Sequence, residues 1–373
     1  MERYDAIIIG GGPAGSTCAR VLQQAGFDVL VMDKSSFPRD KVCAGWITPE
    51  VVNELTLDLE DYRQHHTLQA FSGFRTGMLG LELVNTDYGR TVSYGIRRCE
   101  FDDYLLKRSG AKLRLDEALS SLEREQDEWL INHNFRTPLL IGAGGHFCPV
   151  ARHLNPKAND HHELVTAQEM EFEMTTAQQA DCKVQAETPE LYFLPELDGY
   201  GWCVRKGDFL NIGLGRTENH HLSRYVNRFY RYLVAQGKVP ADAPQRFRGH
   251  AYRLATSRNQ RQLVDDGVML VGDAAGLAYP QSGEGIYTAI KSGLLAAQTV
   301  IESQGEYSLD SLKQYPHKLD QFFDDQKPFS VDRLWIPKTL RLLMARILLT
   351  SRYLSRRILL DKWFLHGQGS SSG

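Results

Sequence analysis

The chain of 373 residues holds only six cysteines, at positions 18, 43, 99, 148, 182 and 203, and no two of them form a C-x-x-C pair. Neither a disulfide framework nor a zinc knuckle is therefore expected, and a reduced, cytoplasmic chain is the default. A surplus of positive charge is also missing: 43 basic against 46 acidic residues leave −3 at pH 7, which argues against nucleic acid held by bulk charge. No apolar run reaches the roughly 18 residues of a membrane-crossing helix. The N-terminus enters Tyr4-Asp5-Ala6-Ile7-Ile8-Ile9 without a basic n-region or cleavage site, so no signal peptide is expected. An H-E-x-x-H motif is absent as well, and no strand runs into a G-x-S-x-G elbow. The adjacent histidines His65-His66, His161-His162 and His220-His221 would point to opposite faces of an extended strand, and read as surface loops rather than metal ligands. What remains, 42% hydrophobic and 24% charged residues, is the composition of an ordinary folded chain. Its length suggests two to three domains of about 150 residues each.

Ala6 to Gly10 is a short Ile-rich run and predicts a strand buried on both faces. It meets Gly10-Gly11-Gly12-Pro13-Ala14-Gly15, a G-x-G-x-x-G pattern at Gly10, Gly12 and Gly15. Ser16 to Gln24 has helical spacing and stops at the C-cap glycine Gly26. Phe27 to Met32 predicts the next strand, closed by Asp33 and followed by Lys34. These are the parts of a dinucleotide site. Gly10 permits the tight turn, Gly12 lets the backbone approach a pyrophosphate, and Gly15 lets helix and strand pack closely. The helix N-terminus, entered through Pro13 and Ala14, faces the phosphates, and Asp33 accepts from ribose hydroxyls. The same logic serves NAD and FAD.

About 240 residues further on, the buried strand Val268-Met269-Leu270-Val271 runs into Gly272-Asp273-Ala274-Ala275-Gly276. After a turn at Pro280, Ser282-Gly283-Glu284-Gly285-Ile286 opens a helix that continues from Tyr287 to Ile301. Asp273 can hydrogen-bond ribityl hydroxyls. The helix opening at Gly283, Gly285 and Ile286 can aim its amides at an electron-rich carbonyl. Reduced flavin carries negative charge around N1 and C2=O, which a helix dipole stabilises; an NAD-only dehydrogenase has no need of this element.

At these residues the chain resembles the FAD-binding fold of the para-hydroxybenzoate-hydroxylase type, and three further stretches narrow the resemblance to the geranylgeranyl reductase family. Phe37-Pro38-Arg39-Asp40-Lys41-Val42-Cys43-Ala44-Gly45 is similar to that family's Lys-x-Cys-x-Gly loop beside the isoalloxazine. Arg97-Arg98-Cys99-Glu100-Phe101-Asp102 is similar to its Arg-x-x-Phe-Asp helix start, whose arginine, Arg98 here, reaches the FAD phosphates. Tyr200-Gly201-Trp202 is similar to its Tyr-x-Trp strand along the substrate cavity, and Trp46, Tyr200 and Trp202 are the candidates for an apolar lining. The resemblance covers about residues 4 to 300. It implies an FAD-dependent oxidoreductase that reduces carbon–carbon double bonds of a prenyl or other apolar substrate, with Cys43 or water supplying the proton. The chain departs from both patterns once. Ile141-Gly142-Ala143-Gly144-Gly145-His146 stands where the hydroxylases carry Asp-Gly, and Cys203-Val204-Arg205 replaces the x-Phe-Pro that follows Tyr-x-Trp in the reductases. No second glycine-rich fingerprint exists, so the electron donor is either NADPH binding transiently or a ferredoxin-like protein. The alternatives are a monooxygenase or halogenase of the same fold, and a flavoprotein without catalysis.

The expected fold class is α/β: a Rossmann-like FAD-binding domain with a parallel sheet, an antiparallel-sheet substrate domain and a C-terminal helical segment. The first is split over 1–65, 95–155 and 255–310. The second comprises 66–94 and 156–254, with Leu79-Gly80-Leu81-Glu82-Leu83-Val84 reading as strand. A helical region, 311–366, and a disordered Gly/Ser-rich tail, 367–373, follow. Between Lys338 and Lys362, a single helix would put Leu340, Leu343, Met344, Ile347, Leu354 and Ile358 on one face. Lys338, Arg341, Arg352 and Arg356 would take the other, with Trp363-Phe364 at the end. Seven basic residues against the one acid Asp361 make 338–365 a candidate for peripheral membrane contact. The alternative is a helix packed on the flavin domain with a solvated basic face.

Overall fold

The computed structural model describes residues 1–156, 164–218, 220–255, 261–325 and 338–365. His161-His162 and the tail 367–373 lie outside the described residues. A six-stranded sheet runs in the order Val264–Asp265, Val268–Leu270, Leu139–Gly142, Ala6–Ile9, Val29–Met32, Lys112–Arg114, parallel throughout except for the first pair. The Ile-rich run lies at its centre, where Ile7 and Ile8 are wholly buried. Helices Pro13–Gln24 and Ile286–Glu302 pack backbone to backbone: a Cβ at Gly293 would lie 2.4 Å from the Ala14 carbonyl oxygen. The same packing brings the openings of both helices to one cavity.

A seven-stranded sheet has the order Arg248–Arg253, Leu164–Glu173, Phe209–Arg216, Gly199–Lys206, Glu190–Phe193, Gly73–Met78, Val84–Asp87. The expectation of a purely antiparallel sheet is corrected at one pair, since Glu190–Phe193 runs parallel to Gly73–Met78. Those strands come from segments far apart in the chain, so no hairpin forces them to be antiparallel. Leu79 to Leu83 is a turn and not strand, because Gly80 at φ +90 reverses the chain between Gly73–Met78 and Val84–Asp87. Trp46–Ile47, Ser93–Ile96 and Leu68–Phe71 form a separate small sheet, which ties the Cys43 loop to the start of helix Arg98–Arg108.

Helix Leu222–Ala235 covers one face of the larger sheet, burying Val226, Phe229 and Leu233 against Met170, Ile212 and Leu214. The period of two along each strand then turns Glu169, Trp202, Asn211 and His250 to the opposite face, toward the parallel sheet.

The single C-terminal amphipathic helix is also corrected. Helix Lys338–Thr350 stops before Ser351, whose extended backbone and side chain cap a new start by accepting from the Leu354 N–H. The chain then widens into a π-helix, Ser355–Phe364. Leu354 and Ile358 therefore leave the stripe of Leu340 and Leu343 and line a cavity instead. Trp363 lines that same cavity and Phe364 is buried, so these aromatics do not present an outer face.

Candidate cofactor and substrate site

The cavity between the two sheets measures about 670 Å³, and its wall includes Gly10, Gly12, Pro13, Ala14, Asp33 and Lys34. The motif glycines have distinct tasks. At Gly10, φ is +116 and a Cβ would lie 2.4 Å from the Ala143 carbonyl oxygen; at Gly15 it would lie 2.0 Å from that of Gly10. Both are fixed by the protein's own packing. Gly12 is different: its φ of −73 suits any residue, and a Cβ there would meet only the Arg39 guanidinium, at 3.5 Å. The space above Gly12 belongs to the cavity, which is what close approach of a pyrophosphate requires. Asp33 accepts from the N–H groups of Gly11 (2.9 Å) and Ser35 (3.0 Å), which leaves lone pairs on both oxygens for ribose hydroxyls.

Arg98 is buried at the opening of its helix and donates twice to Asp102, at 2.8 and 2.9 Å. Arg39 approaches the same carboxylate at 3.2 Å. Two guanidinium groups sharing one carboxylate leave a net positive charge on the cavity wall, the complement of a pyrophosphate.

Gly272 and Asp273 line the cavity, as do Gly283, Gly285 and Ile286 at the opening of helix Ile286–Glu302. Gly283 has φ +69, and a Cβ there would strike the Tyr252 hydroxyl at 2.5 Å. Lys41 Nζ lies 2.5 Å from His250 Nε2 and 3.9 Å from Asp273 Oδ2, and His250 Nε2 is 3.6 Å from the same oxygen. Burial opposes the charge on Asp273, but His250, Lys41 and Arg98 outweigh it and hold the carboxyl down at about 2. Burial lowers both Lys41 and His250 from their ordinary values. Nothing around His250 marks it as a site residue: it is a lone histidine 209 positions from Lys41 with no motif about it.

Cys43 and Ala44 also line the cavity, whereas Gly15 and Gly45 are not part of its lining. The Cys43 loop hangs from the larger sheet by buried polar groups that sequence reasoning missed. Cys43 N–H donates to Glu169, and its carbonyl accepts from Asn211 Nδ2 at 3.1 Å. Lys206 Nζ donates to the carbonyls of Ala44 (3.1 Å) and Ile96 (2.9 Å) and pairs with Glu171 at 2.5 Å. The one signal available was parity. Once Met170 and Phe172 are assigned to the core, Glu169 and Glu171 must share the other face.

Lys206 sits on Glu171 rather than Glu169, and this sets the protonation. Burial raises Glu171, but Lys206, Asn211 and Arg97 outweigh it and hold the group below the usual carboxylate value. At Glu169, burial wins over Lys206 and the Cys43 N–H and pushes the carboxyl up to about 8. The folded chain therefore keeps a proton that the unfolded chain releases near the ordinary glutamate value of 4.5. Stability from this group falls as pH rises from about 4.5 to about 8, then levels off. Glu169→Gln should flatten that decline when Tm is followed against pH. An unchanged slope would place the proton elsewhere.

Trp202 donates from Nε1 to Asn211 Oδ1 at 2.7 Å, and its ring lies across Gly213, where a Cβ would be 2.2 Å from the indole. Tyr200 donates its hydroxyl to the Ser282 carbonyl at 2.5 Å, and Trp46 stacks on Phe364 at 5.4 Å and 9°. All three aromatics line the 670 Å³ cavity. Tyr200 and Trp202 also line a second cavity, of about 830 Å³, between the larger sheet, the Pro280 turn and the C-terminal helical segment. Of the histidine pairs, His66 packs on the rings of Tyr62 and Tyr104, whereas His220 and His221 are exposed. His66 is half-buried in the bend between helix Leu59–His65 and strand Leu68–Phe71.

Two glycine-opened helices, a ribose acid and a paired arginine surround one cavity, and a family model described as FAD binding domain matches residues 3–324. The chain belongs to this FAD-binding family. FAD is its cofactor, and its α/β fold is the flavin fold that the motifs predict. An uncharacterized protein of Methanosarcina barkeri is 30% identical over 314 residues, covering 81% of this chain and 76% of its own. The digeranylgeranylglycerophospholipid reductase of Methanocaldococcus jannaschii is 28% identical, covering 84% of this chain and 82% of its own. A solved geranylgeranyl bacteriochlorophyll reductase-like protein of Thermoplasma acidophilum superposes with a TM-score of 0.73 at 22% identity, over 94% of this chain and 88% of that one. The FAD-binding chain shares that protein's fold and is an FAD-dependent oxidoreductase. Among its described residues, no helix is long and apolar enough to cross a membrane.

Proposed function

We propose that this protein reduces carbon–carbon double bonds in the prenyl chains of a lipid. The observation that carries the reading is the second, apolar cavity, which shares Tyr200 and Trp202 with the cavity of the FAD motifs. An elongated apolar chain lying along these two aromatics would extend from the flavin into the space beneath the C-terminal segment. The related reductases, named for digeranylgeranylglycerophospholipid, support the same substrate class.

FAD, when bound, supplies the hydride. Gly10, Gly12, Pro13, Ala14, Asp33, Lys34 and Arg98 hold its phosphates and ribose. Gly272, Asp273, Gly283, Gly285 and Ile286 hold its redox end. The Cys43-Ala44-Gly45 loop places a half-buried thiol on the wall, where Cys43 or a water hands a proton to the substrate carbon. Trp46, Tyr200 and Trp202 hold the alkene and keep water out. Electrons come from a transient donor, NADPH or a ferredoxin-like protein. Residues 338–365 bring the protein to the membrane that holds its substrate.

The test is anaerobic. Holo-protein reduced with dithionite is mixed with a geranylgeranyl lipid, or with its saturated counterpart, while the flavin absorbance is followed. Reoxidation by the unsaturated lipid alone is the expected result. If both lipids leave the flavin reduced while oxygen yields a hydroxylated product, the protein is a monooxygenase instead.

A further inference from the structure

Helix Lys338–Thr350 carries large apolar side chains on its outside. Leu340, Leu343, Met344 and Ile347 are 46%, 54%, 45% and 51% exposed. Their spacing of three and four places them on a single stripe. Leu349, on the opposite side, is buried in a cluster with Phe71, Trp202 and Leu359. Arg341 and Arg346 border the stripe on its two sides, given about 100° per residue, and both are exposed. Arg352, Arg356, Arg357 and Lys362 follow, also exposed, as is Tyr353 at 69%. Asp361, the one acid in 338–365, accepts from the Tyr88 hydroxyl at 2.7 Å. The whole chain carries −3, so this positive charge around an apolar stripe is local. A helix packed on a globular domain has the reverse arrangement, with its apolar stripe inward.

The helix is also a cavity wall. Arg341, Met344, Ile347 and Leu348 line the 830 Å³ cavity that continues to Tyr200 and Trp202. Met344 and Ile347 belong to both surfaces, which makes them an apolar rim between the outside and the cavity.

We infer that this helix seats the protein on a bilayer bearing anionic headgroups, and that Met344 and Ile347 form the rim over which an apolar chain passes from the bilayer into the cavity. In the seated protein, Leu340, Leu343, Met344 and Ile347 enter the acyl boundary while the flanking arginines reach the headgroups. The rim's role rests on the prenyl-lipid reading; the seat does not.

Holo-protein is sedimented with phosphatidylcholine vesicles, with or without phosphatidylglycerol. Binding is expected to be roughly tenfold or more tighter with the anionic lipid and to weaken with salt. The double variant Leu340→Glu, Leu343→Glu changes neither cavity lining, so it should keep its flavin absorbance and lose vesicle binding. It should also lose turnover of prenyl lipid in vesicles while retaining that of detergent-dispersed lipid. Equal binding to uncharged vesicles, binding to neither, or unchanged binding by the double variant overturns the seat. So does a dimer in sedimentation velocity that the double variant dissolves, since a second copy then covers the stripe. Vesicle binding as stated, without prenyl turnover in any form, keeps the seat and overturns the rim together with the prenyl reading.

Discussion

Lys206→Met should be among the most destabilising single substitutions in this protein, costing about 3–5 kcal/mol in denaturant unfolding. Lys206 is wholly buried, and its ammonium bonds Glu171 at 2.5 Å and the carbonyls of Ile96 and Ala44 at 2.9 and 3.1 Å. Methionine fills nearly the same volume, so a cavity contributes little to the loss. What is lost is a buried ammonium that faces two carboxylates. Glu171 is left charged without its main partner, with Glu169 beside it, and two carbonyls lose a donor. Adding Glu171→Gln to Lys206→Met should recover part of the loss, since the stranded charge goes with it. A single-variant cost under about 1 kcal/mol would mean that water or Arg97 substitutes for the ammonium.

The legible and illegible parts of this site differ in what determines them. Gly10 and Gly15 were readable because local backbone demands, a positive φ and a carbonyl in contact range, leave no other residue possible. Asp33 follows at a fixed distance from Gly10, at the end of the next strand, whereas Arg98 comes from the resemblance of Arg97 to Asp102 to a known helix start. The polar cluster under the Cys43 loop had no such signature, because Glu169, Lys206 and Asn211 meet through pairing of three strands and not through spacing. Each looks like an ordinary strand residue until its register is known. The C-terminal segment failed differently: its hydrophobic period continues across Ser351, but the chain does not, because a serine cap begins a new helix there. Periodicity records which residues prefer burial, not whether one helix carries them all.

Gly12→Val should give folded, colourless protein, with FAD affinity reduced roughly hundredfold or more, equivalent to about 2.7 kcal/mol. The contrast with its neighbours is what makes this substitution informative. At Gly15, even alanine would place a methyl 2.0 Å from the Gly10 carbonyl oxygen, so colour would be lost together with the fold. At Gly12 the backbone is at φ −73 and ψ −178, which valine adopts readily, and the nearest protein atom to a Cβ is the mobile end of Arg39 at 3.5 Å. Valine at this N-cap costs at most about 1 kcal/mol of helix stability, and no capping side chain is lost. Its two methyl groups occupy the space over the helix opening where the pyrophosphate must approach within hydrogen-bond distance. The apo-form Tm should therefore stay close to that of the stripped wild type, while the flavin absorbance disappears. Asp33→Ala should act in the same direction and more weakly, because it removes two hydroxyl contacts and leaves the phosphate cradle intact. A yellow Gly12→Val protein would mean that the pyrophosphate does not lie on this helix.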